Sequence, residues 1–481
     1  MSINRLAGLE PQKVFKYFNE ISMIPRGSGN MKQICSYCCD FAAERNLRHI
    51  SDEACNVIIF KNGSAGREGE EPVILQGHLD MVCEKNAGKI FDFQNDPIDL
   101  MIDGDFISAN GTTLGGDDGI AVAFCLALLD SDDISHPPLE VVFTTDEETG
   151  MCGAEAIDTS VLKGRRMINI DSEAEGTLWV SCAGGARTDI EIPFYAADAN
   201  GIACEIALYG LHGGHSGAEI HKGYANANIL MGRVLKEISF SVDYCLASIN
   251  GGTMDNAITR ECTAKIVISS DSESLFKVIS RLNSKLRKEF EDTDPELTLK
   301  IRECDNIKRC ITKDDTEKIV DMLCEFPYGV MAMSKEIDGL VETSLNLGAV
   351  KTKDNFVSFT FLLRSSVDSE RIKLCADLLD IAEKYGASTN VHSEYPAWEY
   401  KRNSVLQRVF ADVYKNIFGK DMVVTAIHAG LECGLFCGKI EDLDCVSFGP
   451  DILDIHTPDE RLSISSCARM WEYLLEVLKV L

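Results

Sequence analysis

The stretch Val73–Val82 reads VILQGHLDMV, an apolar run that ends in His78 and, two residues on, Asp80. In extended chain, residues two apart face the same way. An imidazole there would have a carboxylate beside it to fix its tautomer, the usual support of a metal-ligating histidine. Alone, His-x-Asp is a weak signal, because most histidines at strand ends are simply hydrogen-bonded. Other ligand types strengthen it: Asp117 in TTLGGDDG, Glu147 and Glu148 in TTDEETG, Asp171 in INIDSE, and His456 in DIHTPDE. His78, Asp117, Glu148, Asp171 and His456 form a set of oxygen and imidazole donors without a thiolate. That mixture suits zinc, with manganese or cobalt as alternatives. Five ligands are too many for one catalytic zinc with an open position, but they suffice for two divalent ions if one carboxylate bridges. Two ions ~3.5–4 Å apart can share an activated water, polarise a carbonyl and hold an oxyanion. The adjacent glutamates then divide the labour: one ligates, and its neighbour moves a proton from the water to a leaving amine.

Such ligands work only if strands carry them to one edge. Val73–Leu75, Leu139–Thr144 and Met167–Ile170 are apolar on both faces, as strands buried in a parallel sheet are. Each runs into a candidate: His78, Glu147–Glu148 and Asp171. Ligands in open α/β sheets bind beyond the carboxyl ends of the strands. A single acidic strand end is ordinarily a solvated turn, but several in one α/β unit with His78 and Asp117 weaken that reading. Around them the spacing predicts helices over Pro11–Ile21, Met31–Asn46, Ile120–Leu129, Val405–Phe418 and Ile464–Val480. It predicts strands over Asn56–Phe60 and Cys445–Gly449 and a short strand pair over Asp103–Asn110. After Gly184–Gly185 the texture changes to amphipathic strands and charged helices, until about Pro396. The expected fold class is therefore α/β, a discontinuous two-metal hydrolase domain of residues 1–185 and 397–481, with an inserted α+β lid of residues 186–396. Within the lid, Asn250–Ile258 leading to a strand at Thr263–Ser269 is faintly echoed by Ser344–Val350 leading to Phe356–Arg364. Two half-lid repeats are the expectation.

The chain of 481 residues is long enough for two or three domains. A net charge of −29 argues against nucleic acid and anionic membrane surfaces as partners. MSINRLAGLEPQKVFKYF lacks the apolar segment of a secretory signal, and no run approaches the ~18 apolar residues of a spanning helix. The nineteen cysteines are scattered through apolar segments and read as buried hydrophobes of a reducing cytoplasm. The Cys35–Cys38 spacing lacks a second pair and reads as helix packing.

VILQGHLDMV, TTLGGDDG, TTDEETG, INIDSE, GLHGGHSG, NAI and GPDILDIHTPDE, in this order, resemble the M20 metallopeptidases, most closely their aminoacyl-histidine dipeptidase branch. The resemblance spans nearly the whole chain. It implies one metal on His78, Asp117 and Asp171 and another on Asp117, Glu148 and His456, with Asp117 bridging and the Asp117–Asp118 peptide cis. Asp80 would orient His78, and Glu147 would be the general acid/base. His215 in GGHSG would help bind the substrate carbonyl, and Asn256 and Arg364 would contact substrate, Arg364 at its carboxylate. Asp118 receives no ligand role. His428 stands as a candidate substrate contact beside Glu432, although the glycines of that turn equally allow close backbone packing. His212 and His221 read as surface or structural, and His49, His136 and His392 receive no role. The implied activity is hydrolysis of dipeptides, Xaa-His dipeptides included, in the cytoplasm, with a small peptide as partner and the oligomeric state open between monomer and homodimer. Alternatives are hydrolysis of N-acyl or N-carbamoyl amino acids, or a non-catalytic metal-binding protein. Glu147, which is not needed to hold metal, speaks against the last.

Overall fold

Hydrophobic burial divides the chain into two units in the computed structural model, which describes residues 5–269, 272–305 and 307–481. One unit runs to Ser181 and resumes over Tyr400–Ala426 and Leu431–Leu481; the other comprises Cys182–Glu399 and Ile427–Gly430. The turn carrying His428 thus groups with the second unit, away from the segment in which sequence alone had put it. The reason is local: Ala183 N–H faces the carbonyls of Ile427 (3.2 Å) and Ala429 (3.1 Å). Among the described residues no helix is long and apolar enough to cross a membrane. No disulfide joins any of the cysteines.

The first unit is built on an eight-stranded sheet. Its order is Arg48–Ser51, Val57–Lys61, Leu139–Thr144, Val73–His78, Arg166–Asn169, Asp444–Ser447, Thr177–Cys182, Val423–Ile427. The four strands from Leu139–Thr144 to Asp444–Ser447 are parallel. Their register is level, His78 opposite Thr144 and Gln76 opposite Asn169, so their carboxyl ends share one edge. Leu139–Thr144 and Val73–His78 are buried at every residue, as continuous apolar runs in a covered parallel sheet require. The helix Gly116–Leu129 is likewise buried throughout, which explains why its sequence has no polar face. A second, four-stranded sheet includes the short strand pair expected near Asp103–Asn110, whereas its two strands flanking His456, two and three residues long, escape a sequence reading. Its order is Ile452–Leu453, Arg461–Ser463, Phe106–Ala109, Leu100–Asp103. It places the loop carrying His456 at the tip of a hairpin.

The second unit contains a nine-stranded antiparallel sheet. Eight strands lie in the order Thr298–Glu303, Ile202–Tyr209, Cys262–Ile268, Tyr244–Gly251, Val341–Thr352, Phe356–Ser365, Gly184–Pro193, Ser388–Tyr395, and Gly329–Met333 pairs with Val341–Thr352. This sheet is one topology used twice. Residues 202–303 form strand–helix–strand–strand–helix–strand in the spatial order fourth, first, third, second. Gly184–Pro193 with residues 313–395 repeats that order, the first copy being inserted after its first strand. The insertion points, Ala196–Asp198 and Arg309–Ile311, pair with each other. The copies join edge to edge where Asn250 and Gly251 face Lys351 and Val350. The faint echo in the sequence falls on the same element of each copy, the hairpin of second and third strands. Ser344–Val350, however, lies inside the strand Val341–Thr352 rather than ahead of it. One core serves both copies, Leu230, Leu246 and Ile266 belonging to it together with Leu345, Phe359 and Phe361.

Asn226 pins the two copies. Its side chain caps the helix Ala227–Ser239 by accepting from Asn228 N–H (2.9 Å), and its amide donates to the Leu347 carbonyl (2.9 Å) of the other copy. Asn226→Ala should remove a cap and one of three donors to the buried Leu347 carbonyl, which Asn228 Nδ2 and Thr259 Oγ1 still reach, costing about 1 kcal/mol, measured as a lower urea midpoint. Asn390→Ala, on an exposed position of the edge strand Ser388–Tyr395, should stay within about 0.5 kcal/mol of the parent.

Candidate active site

The level strand ends bring His78, Glu148 and Asp171 together, and the start of the helix Gly116–Leu129 and the hairpin loop add Asp117 and His456, with Asp117 at the centre. His78 Nε2 lies 3.0 Å from Asp117 Oδ1, while His456 Nε2 lies 3.1 Å from Asp117 Oδ2. Each imidazole has a second carboxylate: Asp171 Oδ1 at 3.5 Å from His78, and Glu148 Oε1 at 3.1 Å from His456. Although it is that close, Glu148 Oε1 is buried without an aligned hydrogen bond. Three donor groups, His78–Asp118–Asp171, His78–Glu147–Glu148 and Asp117–Glu148–His456, each have ligand atoms within 4.8 Å of one another. These residues fit a metal centre: carboxylates and the buried His78 converge with the more exposed His456 and leave an acceptor atom unused. The Asp117–Asp118 peptide is cis. Asp118 turns inward, its Oδ2 accepting from His78 N–H (3.1 Å).

A layer of buried hydrogen bonds fixes the donors. Asp80 Oδ1 lies 3.4 Å from His78 Nδ1 and accepts from Glu147 N–H (3.1 Å), while Oδ2 accepts from Ser28 Oγ (2.8 Å) and Glu148 N–H (3.3 Å). One carboxylate thus orients the histidine and holds both glutamates. Behind it, Asn169 donates to Gln76 (2.6 Å), and Gln76 (2.6 Å) and Thr144 (2.7 Å) donate to Glu432 Oε2. This chain ties together the strands that end in His78, Glu147–Glu148 and Asp171. Glu432 therefore braces the sheet. Sequence could flag it only as a carboxylate near a glycine-rich turn, because its partners, Gln76 and Thr144, lie in two distant segments.

Proximity and burial set the charges. Burial pushes Asp171, Glu173 and Glu432 each up to about 7, and raises Glu147 as well. Burial also opposes charge on Asp117, but His456 and His78 hold its carboxyl well below the usual range. The Asp117 carboxylate that its Nε2 is bonded to, and the Glu148 carboxylate beside it, push His456 up to about 10.

The remaining candidates lie in the second unit and are brought near one another there. His215 Nδ1 accepts from the N–H groups of Gly217 (3.2 Å) and Ala218 (3.0 Å), which puts the ring proton on Nε2. Burial and then the Arg364 charge lower its pKa, keeping the ring neutral. Asn256 stands in a loop clamped by Asn346, whose amide donates to the carbonyls on either side, Asp255 (2.8 Å) and Ala257 (2.9 Å). Ser216 N–H donates to the Asn256 carbonyl (2.8 Å), joining that loop to His215. Arg364 is buried and donates to Tyr395 Oη (3.1 Å); its Nε has no partner, and no described carboxylate pairs with it. His428 Nε2 lies 2.7 Å from Ser344 Oγ, and burial with the Arg364 charge pushes it down to about 3. Its carbonyl would meet a Cβ at Gly217 at 2.5 Å, so close backbone packing accounts for part of this turn. His212 stacks on Tyr224 at 4.1 Å, and neither it nor His221 belongs to a donor group among the described residues.

The chain matches peptidase family M20/M25/M40 over residues 74–480. It is 37% identical over 480 residues to the cytosol non-specific dipeptidase of Escherichia coli strain K12, covering 99% of each chain. It is similar to the crystal structure of aminoacylhistidine dipeptidase from Vibrio alginolyticus, with a TM-score of 0.94 and 36% identity over 99% of this chain and 98% of that one. Aminopeptidase PepT of Bacillus cereus shares the fold at 13% identity, with a TM-score of 0.57 over 98% of each chain.

The charge pattern has a sign that can be measured in metal-stripped protein. Asp171, Glu173, Glu432 and His456 bind protons more tightly folded than unfolded. Their stabilisation is present at low pH and lost as pH rises, from about 4 to about 7 for the carboxyls and from about 6.5 to about 10 for His456. Asp117 works oppositely, but only below about pH 4. Thermal midpoints of the stripped protein should therefore fall between about pH 5 and about pH 9. Saturating zinc should flatten or reverse the trend, because ligands must shed protons to bind metal. A stripped protein that gains stability across that range contradicts the assignment.

Proposed function

This chain belongs to peptidase family M20/M25/M40, and we infer that it hydrolyses dipeptides, Xaa-His dipeptides included, at a centre of two divalent metal ions. The observation that carries the two-metal reading is Asp117, whose two carboxylate oxygens each face a different histidine. His78 and Asp171 with one oxygen, and His456 and Glu148 with the other, are the ligand sets of that reading. The thiolate-free donors favour zinc, with manganese or cobalt as alternatives. Support for the substrate comes from the names of the two similar dipeptidases. The word cytosol in one of those names, and the many cysteines without a disulfide, support a cytoplasmic setting.

Bound ions would polarise the scissile carbonyl and lower the pKa of the attacking water. Glu147, one residue from a ligand and held through its backbone by Asp80, takes the water proton on its carboxylate. It then gives that proton to the amide nitrogen, so that the C–N bond breaks with a neutral amine leaving. His215, neutral and with its proton on Nε2, donates to the substrate carbonyl oxygen as negative charge develops there. Arg364, a buried guanidinium without a carboxylate partner, receives the substrate's carboxylate. Asn256 contacts substrate from its clamped loop. His428, held neutral far below physiological pH, serves as a hydrogen-bonding wall of that pocket.

The roles separate by mutation. Glu147→Gln should keep both ions, by elemental analysis, while kcat falls by about 10²–10⁴-fold. Glu148→Gln should also lose metal, and Asp117→Ala should lose both ions. Equal metal content and similar turnover in the two glutamine variants would defeat this assignment. A panel of free dipeptides against N-acyl and N-carbamoyl amino acids tests the substrate class: preference for the acylated compounds would replace the dipeptidase reading. Because both copies of the repeated topology belong to one chain, His215 is expected to serve its own subunit. Mixed His215→Ala and Glu147→Gln chains should then recover no activity under conditions of proven subunit exchange. Recovery would make the active form a homodimer sharing sites.

A further inference from the structure

Two charged side chains that no catalytic step uses are buried beside the donors. Arg26 and Glu460 are each only 2% exposed. Glu460 gathers four consecutive backbone amides: Oε2 accepts from Leu114 (2.7 Å) and Gly115 (3.0 Å), and Oε1 from Gly116 (2.7 Å) and Asp117 (3.3 Å). Arg26 takes the carbonyl side of the same loop. Its Nη2 donates to the Gly115 carbonyl, and its Nη1 donates to the carbonyls of Leu79 (2.9 Å) and Asp80 (3.0 Å). The glycines of TTLGGDDG make room for both. A Cβ at Gly115, which has φ +70°, would lie 2.6 Å from Arg26 Nη2, and one at Gly119 would lie 2.5 Å from it. A Cβ at Gly116 would lie 3.2 Å from Glu460 Oε1.

The sequence positions give this arrangement its meaning. Glu460 lies four residues beyond His456, between the two strands of the same hairpin. Leu79 and Asp80 directly follow His78. One carboxylate therefore fastens the His456 hairpin to the amides that end at Asp117, and one guanidinium fastens that loop to the segment leaving His78. We propose that Arg26 and Glu460 are positioning residues of the metal centre, holding the Asp117 carboxylate between His78 and His456 before any ion arrives. This rests on the two-metal reading above. Their chemistry is specific: an ionised carboxylate offers acceptors to all four amides, whereas a glutamine would aim its own NH₂ at two of them. A lysine for Arg26 replaces a planar fork spanning three carbonyls with a single point charge.

Zinc binding and unfolding, rather than turnover alone, test the assignment. Metal-stripped wild type, Glu460→Gln and Arg26→Lys are titrated with chelator-buffered zinc, bound ions per chain are counted, and thermal midpoints are taken with and without zinc. Glu472→Gln, an exposed site on the last helix, is the control. A positioning role predicts zinc affinity lowered by about 10–100-fold in both variants, as loss of groups that orient ligands commonly does. The zinc-induced rise in midpoint should shrink accordingly. Wild-type affinity with a full zinc-induced rise in folded variants overturns the proposal, even if their metal-free midpoints fall. Failure of both variants to fold with zinc present assigns the pair to the fold and overturns it too. Wild type that binds no zinc would instead remove the two-metal reading itself.

Discussion

The structure turns on one carboxylate that must face two ways. Asp117 presents Oδ1 to His78 and Oδ2 to His456, and Glu148 and Asp171 close in from either side. Two carboxylates within 4.8 Å of each other, as Asp117 and Glu148 are, repel by on the order of 3–4 kcal/mol at an effective dielectric of about 20. Burial first, and then neighbouring carboxylates, push Asp171 and Glu147 up, so without cations protonation is the relief, and His456 holds its proton. The first unit is arranged to sustain this concentration of acid. Level parallel strands deliver His78, Glu148 and Asp171, Asp80 fixes a histidine and two glutamates at once, and the Asn169–Gln76–Glu432–Thr144 chain locks the strands beneath them.

The second unit solves a different problem with the opposite charge balance. Its candidates include a buried guanidinium, and burial followed by that charge keeps both His215 and His428 neutral. The result is neutral imidazoles beside one cation, the chemistry that the proposed contacts with a carbonyl oxygen and a terminal carboxylate require. The doubled topology gives these residues a firm base. His215 and Asn256 belong to one copy and Arg364 to the other, joined by sheet pairing, by the Asn226 amide and by a shared core. Asn346, from the second copy, clamps the loop of the first that bears Asn256.

What the chain's order of residues determined by itself is the donor set and the elements that carry it. Apolar runs long enough to be buried on both faces could only be inner parallel strands, and each ended in a ligand type, so His78, Glu148 and Asp171 were legible as neighbours. Periodicity also gave the helices Val405–Phe418 and Ile464–Val480 to the residue. Only the tertiary structure decided the rest, because it depends on pairs far apart in the chain. The hairpin holding His456 has strands too short to show a period. Glu432 looked like a lone acid until Gln76 and Thr144 from distant segments met it, and Asp118 looked idle until His78 N–H reached it. The proton position on His215 was set by two backbone amides, and its neutrality by burial and then by Arg364, roughly 150 residues away in sequence. A residue's type is written in the chain, but its protonation and partners follow from burial and from the charges that folding brings beside it.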